Sequence, residues 1–228
     1  MSSVIQAIIQ LIMISTYNNN WGSEIYGEWI TSYAVMSLIS VLDFGLGVVI
    51  ANECTKLINE SKIRAKKLAY AGNIMLKILS LVLIILGYLI FLFGWFELEY
   101  YEIYMLIYFV LNVSVSVPKS LYRTFDKYHR FNLLEMSYRV IESGVIFMLL
   151  LNSQLPISVA ATMLSLKVAY IILVEFDIYT LSKWKLVGSI DVLEVSKLKV
   201  VIRPTLNSFI ANLSQNVSNS ILIKIINI

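Results

Sequence analysis

This chain has little of what disulfide-bonded, metal-binding or catalytic proteins depend on. It holds one cysteine, Cys54, in 228 residues, so no internal disulfide can form. Its one histidine, His129, lies in a basic stretch beside Lys127 and Arg130 and reads as a solvated loop residue. No Cys/His cluster has metal-ligand spacing, and no glycine-rich phosphate loop follows a strand. No loop offers paired carboxylates beside a pocket, so the chain does not read as an enzyme. Charged residues make up only 14%, and there are three prolines. The longest loop, about 20 residues, is too short to fold alone, which excludes a soluble domain.

Apolar residues are abundant instead. At 58% hydrophobic residues and a mean hydropathy of +0.77, the chain needs lipid as its solvent. Fourteen of its eighteen Lys and Arg residues fall in three stretches, 52 to 67, 119 to 130 and 181 to 203. The intervening stretches 18 to 25, 94 to 103 and 152 to 156 hold none, although Glu24, Glu97, Glu99 and Glu102 fall there. Basic loops resist translocation and acidic residues weigh little in that bias, so the alternation is a topology signal rather than a nucleic-acid patch. It places the N-terminus on the cytoplasmic side.

Apolar runs bounded by turn signals predict seven helices, near 3 to 17, 26 to 51, 68 to 93, 104 to 120, 133 to 151, 156 to 181 and 204 to 226. Pro156 and Pro204 suit first-turn positions, and Pro118 should end or kink the fourth helix. Aromatic residues such as Tyr17, Trp21, Tyr26, Trp29, Tyr122 and Tyr128 mark the interfaces. Part of 181 to 203 is either an interfacial helix on anionic lipid or a solvated loop. The first run lacks a basic start and a small-residue cleavage pattern, so it reads as a short first spanning helix rather than a secretory signal, and the natural start is expected upstream.

Among the ionisable residues within the predicted spans, Asp43, Lys77, Arg139, Glu142 and Lys167 are singled out. Burying a charge in hydrocarbon costs at least about 2.5 kcal/mol, which makes them candidates for function. At roughly 1.5 Å per residue, Asp43, Lys77 and Arg139 lie about 12 to 14 Å from the cytoplasmic helix ends, with Lys167 nearer the outer half. Each has a plainer reading. Arg139 shares a helix face with Glu135 and Glu142 and could be only their local partner. Lys77 and Lys167 could snorkel or pair with another helix. Asp43, in Leu42-Asp43-Phe44-Gly45-Leu46-Gly47, could lock to Lys77. The seventh helix carries Ser208, Asn212, Gln215, Asn216 and Asn219 at helical spacing, a polar stripe suited to sugar hydroxyls or to interhelical hydrogen bonds.

Gly22-Ser23-Glu24-Ile25-Tyr26-Gly27-Glu28-Trp29, the Leu42 to Gly47 segment and Ala51-Asn52-Glu53 resemble the opening of polysaccharide exporters, the O-antigen flippases. The resemblance continues through Leu121-Tyr122-Arg123-Thr124-Phe125-Asp126-Lys127 and Arg203-Pro204-Thr205-Leu206-Asn207-Ser208-Phe209. It implies an all-α fold of twelve to fourteen helices in two six-helix lobes rocking around a central cavity, shared with multidrug exporters. Residues 1 to 203 would then form the first lobe and 204 to 228 the first helix of the second, so the chain is expected to be a fragment.

The expected function is flipping of an undecaprenyl-pyrophosphate-linked oligosaccharide across a bacterial inner membrane, for O-antigen or capsule biosynthesis. Lys77, Arg139 and Lys167 would receive the pyrophosphate, Asn212, Gln215 and Asn216 the sugars, and Asp43 or Glu142 would couple the cycle to H+ or Na+, with no other cofactor. Expected partners are the lipid-linked oligosaccharide, the bilayer, and polysaccharide polymerase and chain-length regulator proteins. A multidrug or cation exporter of the same superfamily and an inactive remnant are the alternatives.

Overall fold

The structure, a computed structural model, describes residues 2–43, 45–93 and 99–183. The seventh expected helix and its amide stripe lie outside the described residues, as does most of the stretch 181 to 203. Among the described residues the chain is all-helical. It comprises α1 (Ser2–Ser37), a 3₁₀ segment (Leu38–Asp43), α2 (Leu46–Glu60), α3 (Lys62–Leu92), α4 (Tyr100–Ser114), α5 (Ser116–Thr124), α6 (Tyr128–Leu151) and α7 (Pro156–Ser182).

Three of these helical stretches are long and apolar enough to cross a membrane: Lys62–Leu92, Tyr100–Thr124 and Pro156–Ser182. Helix is what lipid demands, since every backbone polar group must be satisfied within the segment. The expected membrane helix bundle is therefore present, while the seven crossings go further than these three.

The hairpin expected between residues 17 and 26 takes a tighter form. Helical backbone continues to Gly22, which adopts φ 79°, ψ 167°. A straight helix would separate residues 17 and 29 by about 18 Å. Their rings instead lie 5.9 Å apart, so α1 folds back on itself at Gly22 and forms two limbs. At the tip, the Trp21 indole N–H donates to the Gln154 carbonyl at 2.9 Å, tying the reversal to the α6–α7 turn.

The second expected helix, 26 to 51, is interrupted. Gly45 has φ 71°, a left-handed conformation that favours glycine, and its N–H donates to Asp43 Oδ1 at 3.0 Å. The Ser116 hydroxyl donates to the other Asp43 oxygen. Asp43 thus joins the start of α2 to the start of α5, and Lys77 is not its partner. Pro118 acts as expected: the α4–α5 stretch breaks at Val115 (φ −98°, ψ 0°), three residues ahead, where the proline ring would crowd the carbonyl of Ser114.

Close packing follows from small residues, as it must where lipid removes the hydrophobic drive between helices. Ala65 and Ala69 are buried on α3, and a Cβ on Gly72 of the same face would collide with Ile50 of α2. At Gly47 a Cβ would lie 2.6 Å from the Ser116 carbonyl oxygen, so α2 and α5 touch through backbone.

The basic stretches 52 to 67 and 119 to 130 converge on one end of the bundle. Thr55, near the end of α2, hydrogen-bonds Thr124 at the end of α5 at 3.2 Å. At the α6 start, Arg130 pairs with Asp177 near the end of α7, and the Tyr122 hydroxyl donates to the same carboxylate at 2.8 Å. Apolar residues form two clusters. One, including Ile50, Val113, Val117, Phe131 and Val174, lies toward the basic end; the other, including Trp29, Phe109, Ile146 and Met163, lies toward the opposite end. Between these clusters, among apolar neighbours, α6 carries the polar residues Glu135, Tyr138, Arg139 and Glu142, and α7 carries Lys167.

Candidate functional site

Two adjoining cavities open in this polar belt. The smaller, about 410 Å³, is lined by Asp43, Lys119, Arg123, Glu135, Arg139 and Lys167, with Tyr33, Tyr108, Tyr128, Tyr138 and Tyr170 among the remaining walls. The larger, about 930 Å³, is bounded by α1 on one side, through Tyr17, Tyr26, Trp29 and Tyr33, and by α6 on the other, through Asn132, Glu135, Arg139, Glu142 and Ser143. Tyr33, Tyr128, Glu135 and Arg139 line both.

Among the described residues Lys167 is the best-enclosed cation, at 3% exposure. Its ammonium lies 5.2 Å from the ring centre of Tyr108 and 5.3 Å from those of Tyr138 and Tyr170, so three tyrosines from α4, α6 and α7 surround it. Ring quadrupoles attract a desolvated cation by about 2 kcal/mol, which holds the charge without neutralising it. The Tyr108 hydroxyl donates to Glu142 Oε1 at 2.9 Å and the Tyr138 hydroxyl donates to the same oxygen. Glu142 is thereby buried yet hydrogen-bonded, as a carboxylate in a bundle must be. Among the described residues the buried Tyr170 hydroxyl has no hydrogen-bond partner, and Tyr170 lines the smaller cavity. From α5, Lys119 also approaches Tyr170, its Nζ 5.6 Å from that ring.

Asp43, Arg139 and Lys167, named from sequence, therefore meet around the smaller cavity, and Glu142 lines the larger. Arg139 keeps its expected helical partner Glu135 at 3.4 Å, but half its side chain remains accessible. Lys77 lies apart from both cavities and pairs across helices with Glu175 of α7 at 2.6 Å. Asn212, Gln215 and Asn216 lie outside the described residues. Lys119 and Arg123 were read as topology residues because they adjoin a basic stretch. Their spacing of four, on a short helix with Ser116 and Ser120, was the signal that they share a face.

The Lys77–Glu175 contact leads to a test by charge reversal. Lys77→Glu should destabilise the purified protein, and adding Glu175→Lys should recover it, with a double-mutant coupling of about 1–2 kcal/mol in thermal unfolding. Zero coupling would refute the pair as a structural tie.

Chemically, the smaller cavity offers four cations against the carboxylates of Asp43 and Glu135, with one of those carboxylates paired to Arg139 and the other held by Ser116 and Gly45. That is an oxyanion-binding arrangement. Among the described residues no three His, Cys, Asp or Glu side chains gather to hold a metal ion. Comparison with protein-family models, with curated proteins and with solved structures finds no match for this chain.

Proposed function

We propose that this protein is the cavity-forming part of a lipid-linked oligosaccharide flippase of the polysaccharide exporter type, seated in a bacterial inner membrane with its N-terminus and basic loops cytoplasmic. One observation carries the reading: Lys119, Arg123, Arg139 and Lys167 line one cavity, which runs from the basic end of the bundle inward to the buried Lys167. Such charges are costly in a bilayer unless they are paired or face a polar cavity, and of these four cations Arg139 and Lys167 lie well inside the predicted spans. A pyrophosphate diester, with two negatively charged phosphoryl groups joined by one oxygen, would suit their mixture of point-charge lysines and fork-shaped arginines. Its polyprenyl tail would remain in lipid beside the bundle. The described helices would supply one wall of a two-lobed, seven-or-more-crossing carrier, with polymerase and chain-length regulator proteins as its partners, and Glu142 or Asp43 would couple the cycle to a cation gradient.

The test uses farnesyl pyrophosphate as the probe, with the protein in lipid nanodiscs. Lys119→Gln combined with Arg123→Gln should weaken binding at least tenfold and flatten its salt dependence; unchanged affinity would overturn the reading. In cells, Arg139→Ala should reduce surface polysaccharide at normal expression.

The aromatic walls and two carboxylates of the larger cavity are what a cation exporter would use, and this is the second reading. Tetraphenylphosphonium binding that survives the loss of Lys119 and Arg123, with no farnesyl pyrophosphate binding at all, would select it.

A further inference from the structure

The larger cavity is chemically unlike its neighbour. Its α1 wall is a run of aromatic rings: Tyr17 stacks on Tyr26 at 5.7 Å, and Trp29 stands 5.9 Å from Tyr17 and stacks at 5.5 Å on Tyr101 behind it. Those contacts exist because Gly22 reverses the chain and brings residues 17 and 29 together. Facing them across the cavity, α6 presents the hydroxyl of Ser143, while the amide of Asn132, about 16 Å away along the helix, lines the other end.

The two acids there already have protein partners. Glu135 is paired with Arg139 at 3.4 Å, and Glu142 already accepts from the Tyr108 and Tyr138 hydroxyls. What remains for a ligand is flat apolar ring surface on one side and neutral donors and acceptors on the other. A pyranose ring has that same division, with C–H groups on its faces and hydroxyls around its edge. Aromatic rings cover the faces and amide or hydroxyl groups match the edge. At about 930 Å³ the space is at the upper end for small-ligand sites.

We propose that the larger cavity is a carbohydrate subsite, in which Tyr26, backed by Tyr17 and Trp29, stacks on the sugar next to the anionic group while the Ser143 hydroxyl meets its edge. The shared residues Arg139 and Tyr33 would then mark the junction between sugar and pyrophosphate. This rests on the flippase reading and locates its glycan on α1 and α6, where the sequence pointed to the seventh helix.

Two probes separate the two ideas: farnesyl pyrophosphate and farnesyl pyrophosphate carrying one N-acetylglucosamine, each titrated against the protein in nanodiscs. The sugar should raise the affinity of the unaltered protein. Tyr26→Ala should weaken the glycosylated probe at least tenfold more than the bare one, and Tyr26→Phe, which keeps the ring, should retain most of the discrimination. Binding of the bare probe also reports that each variant is folded. If the sugar adds no affinity, or Tyr26→Ala weakens both probes in equal proportion, the subsite is refuted and the pyrophosphate reading stands. If neither probe binds the unaltered protein, both fall together.

Discussion

Lys167→Met is expected to lower affinity for a polyprenyl pyrophosphate by roughly 30-fold, equivalent to about 2 kcal/mol, while leaving the protein as stable as before or more so. The two effects point in opposite directions for one reason. Lys167 is 3% exposed and is enclosed by three tyrosine rings, with no carboxylate in ion-pair contact among the described residues. A buried charge held this way is a burden on the fold, and replacing it with an apolar side chain of similar length removes the desolvation cost. Methionine also keeps a favourable sulfur contact with the rings. Only a ligand anion benefits from the ammonium. Thermal unfolding and probe titration on the same preparation decide it: a variant that loses stability but binds normally would show that Lys167 is structural.

Gly47→Ala should be the most damaging single-methyl change in the described part of the chain, costing about 2–3 kcal/mol or more. The added Cβ would lie 2.6 Å from the carbonyl oxygen of Ser116 and 2.7 Å from its carbonyl carbon. Those are backbone atoms of the adjoining helix, so no side-chain rotation relieves the clash and α5 must move away from α2. That displacement would carry Lys119 and Arg123 with it, and probe affinity should fall along with stability. A loss of this size is a large part of an ordinary folding free energy.

Cys54 provides the readout. It is buried in the α2–α3 contact, and burial pushes its thiol up to about 12, so it should resist maleimide at neutral pH in the native protein and react in the variant. Gly144→Ala is the control. A Cβ there meets nothing within 4 Å, and alanine favours helix by up to about 1 kcal/mol. Equal maleimide reactivity of the two variants would contradict the close approach of α2 and α5.

The candidate site was partly legible because a charge in an apolar run stands out whatever the fold. Asp43, Arg139, Glu142 and Lys167 were found that way, and all four line the cavities. Lys77 was found by the same rule and lies elsewhere, since its partner Glu175 is on a different helix and local spacing cannot reveal it. Lys119 and Arg123 were hidden by position, since they continue a basic loop and topology accounted for them. Tyr108, Tyr138 and Tyr170 were invisible as a group because they come from three helices and meet only around Lys167.

The sequence by itself determined that this chain is a helical membrane protein with its basic residues segregated. Composition sets the solvent, lipid forces backbone hydrogen bonds into helices, and charge placement along the chain is independent of packing. Tertiary structure decided which charges are paired and which face a cavity. That choice depends on how each helix is rotated and how closely it approaches its neighbours. Those were set by Gly22 and Gly45 in the left-handed region, by the break at Val115, and by the bare backbone of Gly47 against Ser116.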